Sequence, residues 1–333
     1  MALDSGVDAA VCFLVRSRRG RWWRDFHVAG LSDEWVSGYV GSTLVPLANV
    51  AAFSACVTTW HALMRRRRWS GGWGYNRWIP ADADSTANVL RFAELLGTSR
   101  SIRMRRAYRF LSRHVSAAGG VSTYVSKATL RRVTQMRAED FGGWCSEHTC
   151  VTSLVATLKG FRGQKATLSY LRRNQREDGG WDGYWWYDRE YPTAFAVDAL
   201  LRAEGPSSAP VTRARHWAAA RLGPDGFVRT DLEPEGSPFA TALCVRVLLG
   251  GLPRPDVSAT VSRAVEWLLW QQRADGSWRG SAWLRVPPPG LADPEDFDRW
   301  EINGRGPSSI GKIGRDQTAI FTTATVISAL LPL

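Results

Sequence analysis

Apolar residues recur with a helical period along most of this chain. Between Val265 and Leu269, for example, the apolar positions step by three and four residues, which places them on one face of a helix. Strict alternation of apolar and polar residues, the signature of a half-buried strand, is scarce. The pattern therefore predicts a mostly α-helical protein.

Two kinds of helical stretch alternate along the sequence. One kind ends in a turn that combines glycine with an aromatic residue. The six turns are Gly20-Arg21-Trp22, Gly71-Gly72-Trp73, Gly142-Gly143-Trp144, Gly179-Gly180-Trp181, Asp225-Gly226-Phe227 and Gly276-Ser277-Trp278. The other kind begins at Ser or Thr followed by a small residue. The six pairs are Ser37-Gly38, Thr86-Ala87, Thr149-Cys150, Thr193-Ala194, Thr241-Ala242 and Thr323-Ala324. Such repetition predicts six helical hairpins that close into an all-α (α/α)6 barrel.

One position recurs two residues before each Ser or Thr pair. It holds Trp35, Asp84, Glu147, Tyr191, Phe239 and Phe321 in the six repeats. Since each inner helix starts just after a turn, all six side chains are expected at the same mouth of the barrel. The pattern therefore predicts acidic groups that face a ring of aromatic faces.

The repeats run from end to end, so residues 1–333 are expected to form a single barrel domain. The sixth repeat departs from the others, because 45 positions separate Trp278 from Thr323, against 13 between Trp73 and Thr86. The extra segment, residues 279–316, must emerge at the predicted mouth. Long loops at such places commonly cover binding sites, so we expect a lid over the cavity.

Composition narrows the partners and the compartment. The net charge of +12 comes mainly from arginine, densest at Arg65 to Arg68 and from Arg103 to Arg106. A basic surface suits nucleic acid, an anionic membrane or a diphosphate, but most of the 17 tryptophans lie in turns rather than among the arginines, which argues against nucleic acid. Five cysteines without paired spacing, no apolar run of membrane-spanning length and no leader at the start favour a cytoplasmic protein.

Several motifs carry a family resemblance. Residues 272–278, Gln-Arg-Ala-Asp-Gly-Ser-Trp, and residues 175–181, Gln-Arg-Glu-Asp-Gly-Gly-Trp, look like the QW repeats of squalene-hopene cyclases and related class II terpene cyclases. Likewise, Gly71-Gly72-Trp73 followed by residues 82–87, Asp-Ala-Asp-Ser-Thr-Ala, resembles the G-G-W and D-x-D-D-T-A segment of that family. The resemblance covers one barrel, the β domain, whereas family members usually join it to a second, γ domain.

The resemblance implies a catalytic acid. By register with the motif, Asp84 resembles the proton donor and Asp82 its hydrogen-bonding partner, while Ser85 replaces the usual last Asp and could hydrogen-bond the donor. The ordinary alternative for Asp84 is a helix N-cap, worth about 1 kcal/mol. Glu147 stands where the family also has an acid, and His148 could replace the histidine that touches the donor. The ordinary alternatives are a helix cap for Glu147 and an exposed position in a turn for His148.

The aromatic positions have a matching use. Contact between a cation and a desolvated ring is worth about 2 kcal/mol, so several rings can guide a carbocation without quenching it. Trp35, Tyr191, Phe239 and Phe321 are therefore candidates for substrate binding, although such residues also simply fill barrel cores.

Together these features predict a class II terpene cyclase that protonates a linear isoprenoid. Arginine favours a farnesyl or geranylgeranyl diphosphate whose diphosphate is retained, with Arg65, Arg66, Arg67 and Arg68 as its contacts. No cofactor is expected to be obligatory; Mg²⁺ would accompany a diphosphate. A neutral polyprene or prenylated aromatic substrate remains open, as does a non-catalytic barrel that binds isoprenoid or a partner. Peripheral membrane contact, a homodimer and a separate γ-like partner also remain open. Protein prenyltransferases are disfavoured, because no histidine follows His216 to complete their zinc site.

Overall fold

A computed structural model describes residues 2–134, 140–251, 258–304 and 309–331, and it shows thirteen α-helices over those residues. The outer helices are α1 (Ala2–Arg16), α3 (Val50–Arg66), α5 (Ile102–Ser112), α8 (Gln164–Arg173), α10 (Ala209–Leu222) and α12 (Ala259–Trp270). The inner helices are α2 (Glu34–Leu44), α4 (Ala83–Leu95), α7 (Thr149–Ala156), α9 (Glu190–Glu204), α11 (Pro238–Leu249) and α13 (Ile320–Leu330). A short additional helix, α6 (Lys127–Thr134), precedes α7.

The inner helices close into a ring. Each packs against the next in chain order, and α13 returns to α2. They are buried nearly all round, as expected for helices enclosed by an outer layer, whereas outer helices such as α3 and α5 bury only one face. The predicted all-α (α/α)6 barrel is confirmed. None of the helices in the described ranges is both long and apolar enough to cross a bilayer.

One hydrogen bond repeats at the start of every inner helix. A Ser or Thr hydroxyl in the first turn accepts from the backbone N–H of the residue that ends the preceding glycine turn or, in the first and fifth repeats, of the residue directly after it. The hydroxyls belong to Ser37, Thr86, Thr152, Thr193, Thr241 and Thr323, and the N–H groups to Trp23, Trp73, Val121, Trp181, Val228 and Trp278. In four of these repeats the tryptophan indole N–H also donates to a leucine carbonyl of the outer helix. The turn thus fastens each hairpin at one end.

This contact corrects the predicted register of the third repeat. Its turn is Gly119-Gly120-Val121 rather than Gly142-Gly143-Trp144, because Thr152 bonds the N–H of Val121. Gly119 has φ +90°, and its Cα approaches the backbone of Ala166 so closely that a side chain would collide. The recurring position of this repeat is therefore Cys150, the second residue of α7, and not Glu147.

The insertion of the sixth repeat forms a small sheet. It contains β1 (Trp283–Val286), a 3₁₀ turn at Pro294–Asp296, β2 (Glu301–Ile302) and β3 (Lys312–Arg315). The strand order is β1-β3-β2, with β1 antiparallel and β2 parallel to β3. Backbone bonds attach it to the barrel, since Arg285 N donates to Trp185 O over 2.8 Å and Tyr187 N donates to Trp283 O over 3.1 Å. The insertion is therefore packed on the barrel end.

Candidate functional site

Two neighbouring acids at the start of α4 have different structural roles. Asp82 is the N-cap: its Oδ1 accepts from Ser85 N over 2.6 Å and its Oδ2 accepts from Ser85 Oγ over 2.8 Å. The prediction that Ser85 bonds the Asp84 carboxyl is therefore wrong, because the serine is held by the cap. Asp84 lies one residue inside the helix and caps nothing.

The carboxyl of Asp84 faces a cavity. Its pKa is raised to about 8, chiefly because the half-buried carboxyl is desolvated and secondly because the charge of Asp82 lies nearby. The indole of Trp35 opposes the rise, although its buried N–H completes no hydrogen bond of good geometry. Burial likewise raises the pKa of Asp82 to about 7, against the bonds from Ser85 and the charge of Arg68. Both shifts favour the protonated form of the Asp84 carboxyl near neutral pH.

The cavity in front of Asp84 has a volume of about 690 Å³. Apart from Asp82, Asp84 and Ser85, its lining is mostly aromatic and aliphatic. The lining residues are Val28, Ala29, Gly30, Trp35, Tyr75, Trp78, Ile79, Pro80, Thr123, Tyr124, Leu130, Trp144, Trp185, Leu284, Arg285, Val286, Ser309 and Ile310. In the described part of the chain, Arg285 is the one cationic side chain among them. The insertion supplies part of this wall through β1.

Of the four predicted aromatic residues, only Trp35 lines this cavity. Tyr191, Phe239 and Phe321 are completely buried and absent from its lining, so the prediction that they line it is wrong. Trp186 fills the space between them, stacking on Tyr191 at 4.1 Å and on Phe239 at 5.3 Å between ring centroids. These rings form an aromatic core beneath the mouth.

The arginine run is occupied elsewhere. Arg68 forms an ion pair with the buried Glu34 and donates to the backbone oxygens of Asn76 and Ile79, and Arg66 lies 3.5 Å from Glu34. None of Arg65, Arg66, Arg67 and Arg68 lines the cavity. The prediction that this run contacts a substrate diphosphate there is wrong, because two of its members hold Glu34 and the loop before α4.

Glu147 and His148 line a second cavity, of about 740 Å³, on the other side of Tyr184 and Arg285. The prediction that His148 contacts the carboxyl of Asp84 is wrong, because both ring nitrogens bond other groups. Its Nδ1 lies 2.7 Å from Thr123 Oγ1 and its Nε2 lies 2.9 Å from Gly143 O. Burial lowers the pKa of His148 to about 3, so the ring is neutral.

Arg285 lines both cavities and makes three hydrogen bonds. Its guanidinium donates to Glu295 Oε1 over 2.7 Å, to Tyr184 O over 3.1 Å and to Gly183 O. The second cavity is otherwise crossed by ion pairs such as Arg189 with Asp178. Arg285 therefore holds the insertion against the loop that precedes α9.

The sequence patterns missed several cavity residues. Thr123, Tyr124, Trp144 and Trp185 come from connections rather than from the repeating position, and Leu284 comes from the insertion. The run Tyr184-Trp185-Trp186-Tyr187 was a usable signal, because four aromatic residues stand together in one connection between helices. Trp185 lines the cavity, and Trp186 packs in the aromatic core beneath it.

No protein-family profile matches the chain, but individual proteins do. Drimenyl diphosphate synthase from Streptomyces showdoensis is 27% identical over 266 residues, which cover 74% of this chain and 46% of that protein. Lanosterol synthase from Homo sapiens is 26% identical over 191 residues, which cover 48% of this chain and 26% of that protein. The chain thus spans at most about half the length of these curated relatives.

Solved structures match over their whole length. The type II terpene cyclase MstE from Scytonema, in complex with its substrate geranylgeranyl dihydroxybenzoate, is 38% identical with a TM-score of 0.91, covering 99% of this chain and 96% of that one. The structure of MstE with its product merosterolic acid A is 38% identical in sequence and has a TM-score of 0.90, with the same coverage of both chains. A protein from Actinoplanes is 41% identical with a TM-score of 0.93, covering 99% of both chains.

Proposed function

Since this chain belongs to the type II terpene cyclases, we propose that it cyclises a linear prenyl substrate by protonating a carbon–carbon double bond with Asp84. The observation that carries the proposal is a carboxyl that caps nothing and lines a mostly apolar cavity, with its pKa raised to about 8. Protonation of an isolated alkene needs an acid in a dry, preorganised site. The desolvation of Asp84 and the mostly apolar lining in front of it support that role.

The cavity matches a folded prenyl chain. Its volume, about 690 Å³, lies in the ordinary range of small-molecule sites, about 300–1,000 Å³. Trp35, Trp144 and Trp185 present ring surfaces that stabilise positive charge on carbon without adding to it. Each new cation can therefore be attacked by the next double bond rather than by a protein nucleophile.

The head group of the substrate is a finer proposal. We place a prenylated aromatic first, because MstE was solved with one and because Arg285, the cation in the described lining, already bonds Glu295 and two carbonyls. A prenyl diphosphate is the second candidate, supported by drimenyl diphosphate synthase. We also propose that turnover of a prenylated aromatic needs no Mg²⁺.

The insertion is proposed to act as the lid and to replace a γ-like partner. Leu284 and Val286 complete the cavity wall, and Trp144 fixes the following residues by donating from Nε1 to Pro287 O over 2.9 Å. A single chain would then enclose the substrate. Molar-mass measurement of the active species distinguishes a monomer from a homodimer.

Peripheral contact with an anionic membrane is proposed for the outer surface near the end of α3. Five arginines there make no ion pair with a described residue: Arg65, Arg67, Arg103, Arg105 and Arg106. Trp69 and Ile102 beside them are exposed, at 101% and 73%. Basic and aromatic side chains together suit an anionic interface. Co-sedimentation with phosphatidylglycerol vesicles, but not with phosphatidylcholine vesicles, is the expected result.

A substrate panel tests the proposed activity. Purified protein is incubated with geranylgeranyl dihydroxybenzoate, geranylgeranyl diphosphate, farnesyl diphosphate and squalene, each with and without EDTA, and products are analysed by mass spectrometry. We expect a cyclised isomer of at least one substrate with the wild type and none with Asp84→Asn. Absence of any cyclised product, or an undiminished product from the variant, would reject the proposal.

A further inference from the structure

Two hydrogen-bonded residues connect the cavities. Thr123 lines the Asp84 cavity, His148 lines the second cavity, and Thr123 Oγ1 lies 2.7 Å from His148 Nδ1. Both side chains are buried, at 5% and 1% exposure. The start of α4 and this pair lie together, because Ala83 N donates to Thr123 O over 3.1 Å. A hydroxyl near the catalytic acid is thus bonded to an imidazole outside the reaction cavity.

The direction of these bonds follows from their partners. Gly143 O can only accept, so His148 Nε2 carries the ring proton and Nδ1 is an acceptor. Thr123 must therefore donate its hydroxyl proton to Nδ1. Its oxygen accepts from Trp185 Nε1 over 2.7 Å, which fixes the rotamer and leaves one lone pair free. Thr123 is also one of the residues that line the Asp84 cavity, so this lone pair lies on a side chain at the cavity wall.

We propose that Thr123 and His148 remove the proton that ends the cyclisation, a role that rests on the proposed function. The C–H bond beside the last cationic carbon breaks and its electron pair forms the new double bond. The proton binds the free lone pair of Thr123 Oγ1, while the original hydroxyl proton passes to His148 Nδ1. His148 then releases its Nε2 proton to water in the second cavity, and proton exchange with solvent restores the Nε2–H tautomer. Asp84 regains a proton from solvent, so the reaction is a net isomerisation.

The surroundings of His148 fit an acceptor of this kind. Because burial lowers its pKa to about 3, the neutral ring cannot strip the proton from Asp84, whose pKa is about 8. A carbocation with adjacent C–H bonds is a far stronger acid than an imidazolium, so a weak base suffices. The ring of Tyr184 stacks on His148 at 3.8 Å and can stabilise the imidazolium once it forms. Environment thus separates the acid from the base.

Thr123→Val tests the proposal, because valine keeps the shape and removes the hydroxyl. The measured quantity is the fraction of the consumed substrate that is converted into each product. We expect the wild-type alkene to fall at least tenfold relative to other alkene isomers and water-derived alcohols. Thr123→Ser keeps the hydroxyl and should restore the wild-type ratio. Ser122→Ala, next in the chain and outside the cavity lining, is the matched control with an unchanged ratio.

A second variant keeps the test decisive. His148→Gln retains polar contacts but cannot accept the proton, so it should shift the ratio in the same direction even if Thr123→Val fails to fold. An unchanged product ratio in either folded variant would overturn the inference. A wild type that forms no cyclised product would instead reject the proposed function, so the two failures are distinguishable.

Discussion

The two cavities at the barrel mouth are similar in size and opposite in chemistry. The one before Asp84, about 690 Å³, has a mostly apolar lining, whereas the other, about 740 Å³, is lined by acids and arginines together. In the second cavity Arg189 holds the pKa of Asp178 down to about 2, while burial raises that of Asp84 to about 8. Only the first can present a neutral acid beside surfaces that tolerate a carbocation.

A raised pKa alone does not mark the proton donor. Burial also raises the pKa of Asp188 in the second cavity, and of Asp25 and Asp316 near the start of α13. Asp25 accepts from the backbone N–H groups of Thr318, Ile320 and Phe321, so its carboxyl is committed to a helix start. Asp84 differs because its carboxyl faces an apolar cavity and caps nothing. The cavity, rather than the acid, identifies the site.

Exchanging one acid in each cavity should give the largest difference. Asp84→Asn removes the proposed proton donor, so we expect cyclisation to fall by about 10³-fold or more, within the range attributed to general acids. Glu147→Gln, in the second cavity, should change the rate of cyclisation by less than about twofold. Product formation under single-turnover conditions measures both. Equal losses in the two variants would contradict the distinction between the cavities.

Loosening the wall supplied by the insertion should have the next largest effect. Leu284→Ala opens space beside the apolar cavity, so water can reach the cation and we expect cyclised product to fall about tenfold as alcohols appear. Truncation of a buried leucine costs about 2–5 kcal/mol, so thermal unfolding must show that the variant is folded at the assay temperature. Ile302→Ala, exposed at 54% on β2, is the matched control and should behave as wild type. No rise in alcohols would count against a sealing role.

The pH profile should follow the acid of the first cavity. Because the proposed acid, Asp84, would have to be protonated to act and its pKa is about 8, activity should be flat below pH 7 and fall about tenfold for each unit well above 8. Its folded pKa lies above the ordinary value of 3.8, so its contribution to stability is also lost as the pH rises through 8. Initial rates, corrected for unfolded protein, measure the profile. A rate that rises between pH 7 and 9 would exclude a neutral carboxyl donor.

The barrel was predictable because its signal is repeated. Six copies of a turn and a hydroxyl at the next helix start serve one contact, exemplified by Trp73 N and Thr86 Oγ1 at 3.0 Å. The third repeat failed because Val121 replaces the tryptophan, while Gly142-Gly143-Trp144 imitates the turn nearby. A local pattern cannot tell which of two glycine turns meets a helix.

The cavity was predictable only in part. Asp84 and Trp35 belong to the repeating position, so periodicity placed both at the mouth. The sequence could not show that Trp186 fills the centre, since a connection between helices has no period that fixes its depth. Nor could it show that Arg68 turns inward to Glu34, because that ion pair joins residues 34 positions apart. Charge density alone suggested a ligand site.

The smallest expected effect separates the two acids of α4. Asparagine caps a helix as well as aspartate does, so Asp82→Asn should preserve the start of α4 while removing the charge that helps raise the pKa of Asp84. The alkaline limb of activity should then move to lower pH by less than about one unit, a loss of a few-fold at pH 9.

The comparison with Asp82→Ala shows whether this shift is electrostatic. Alanine removes both the charge and the cap, so it should produce the same pH shift and also lower the free energy of unfolding by about 1 kcal/mol. Asp82→Asn should instead gain stability relative to wild type as the pH rises through about 7, because the wild-type carboxyl must then ionise while buried. If Asp82→Asn abolished turnover as fully as Asp84→Asn, the two carboxyls would share the donated proton. The general acid would then be the Asp82–Asp84 pair rather than Asp84 alone.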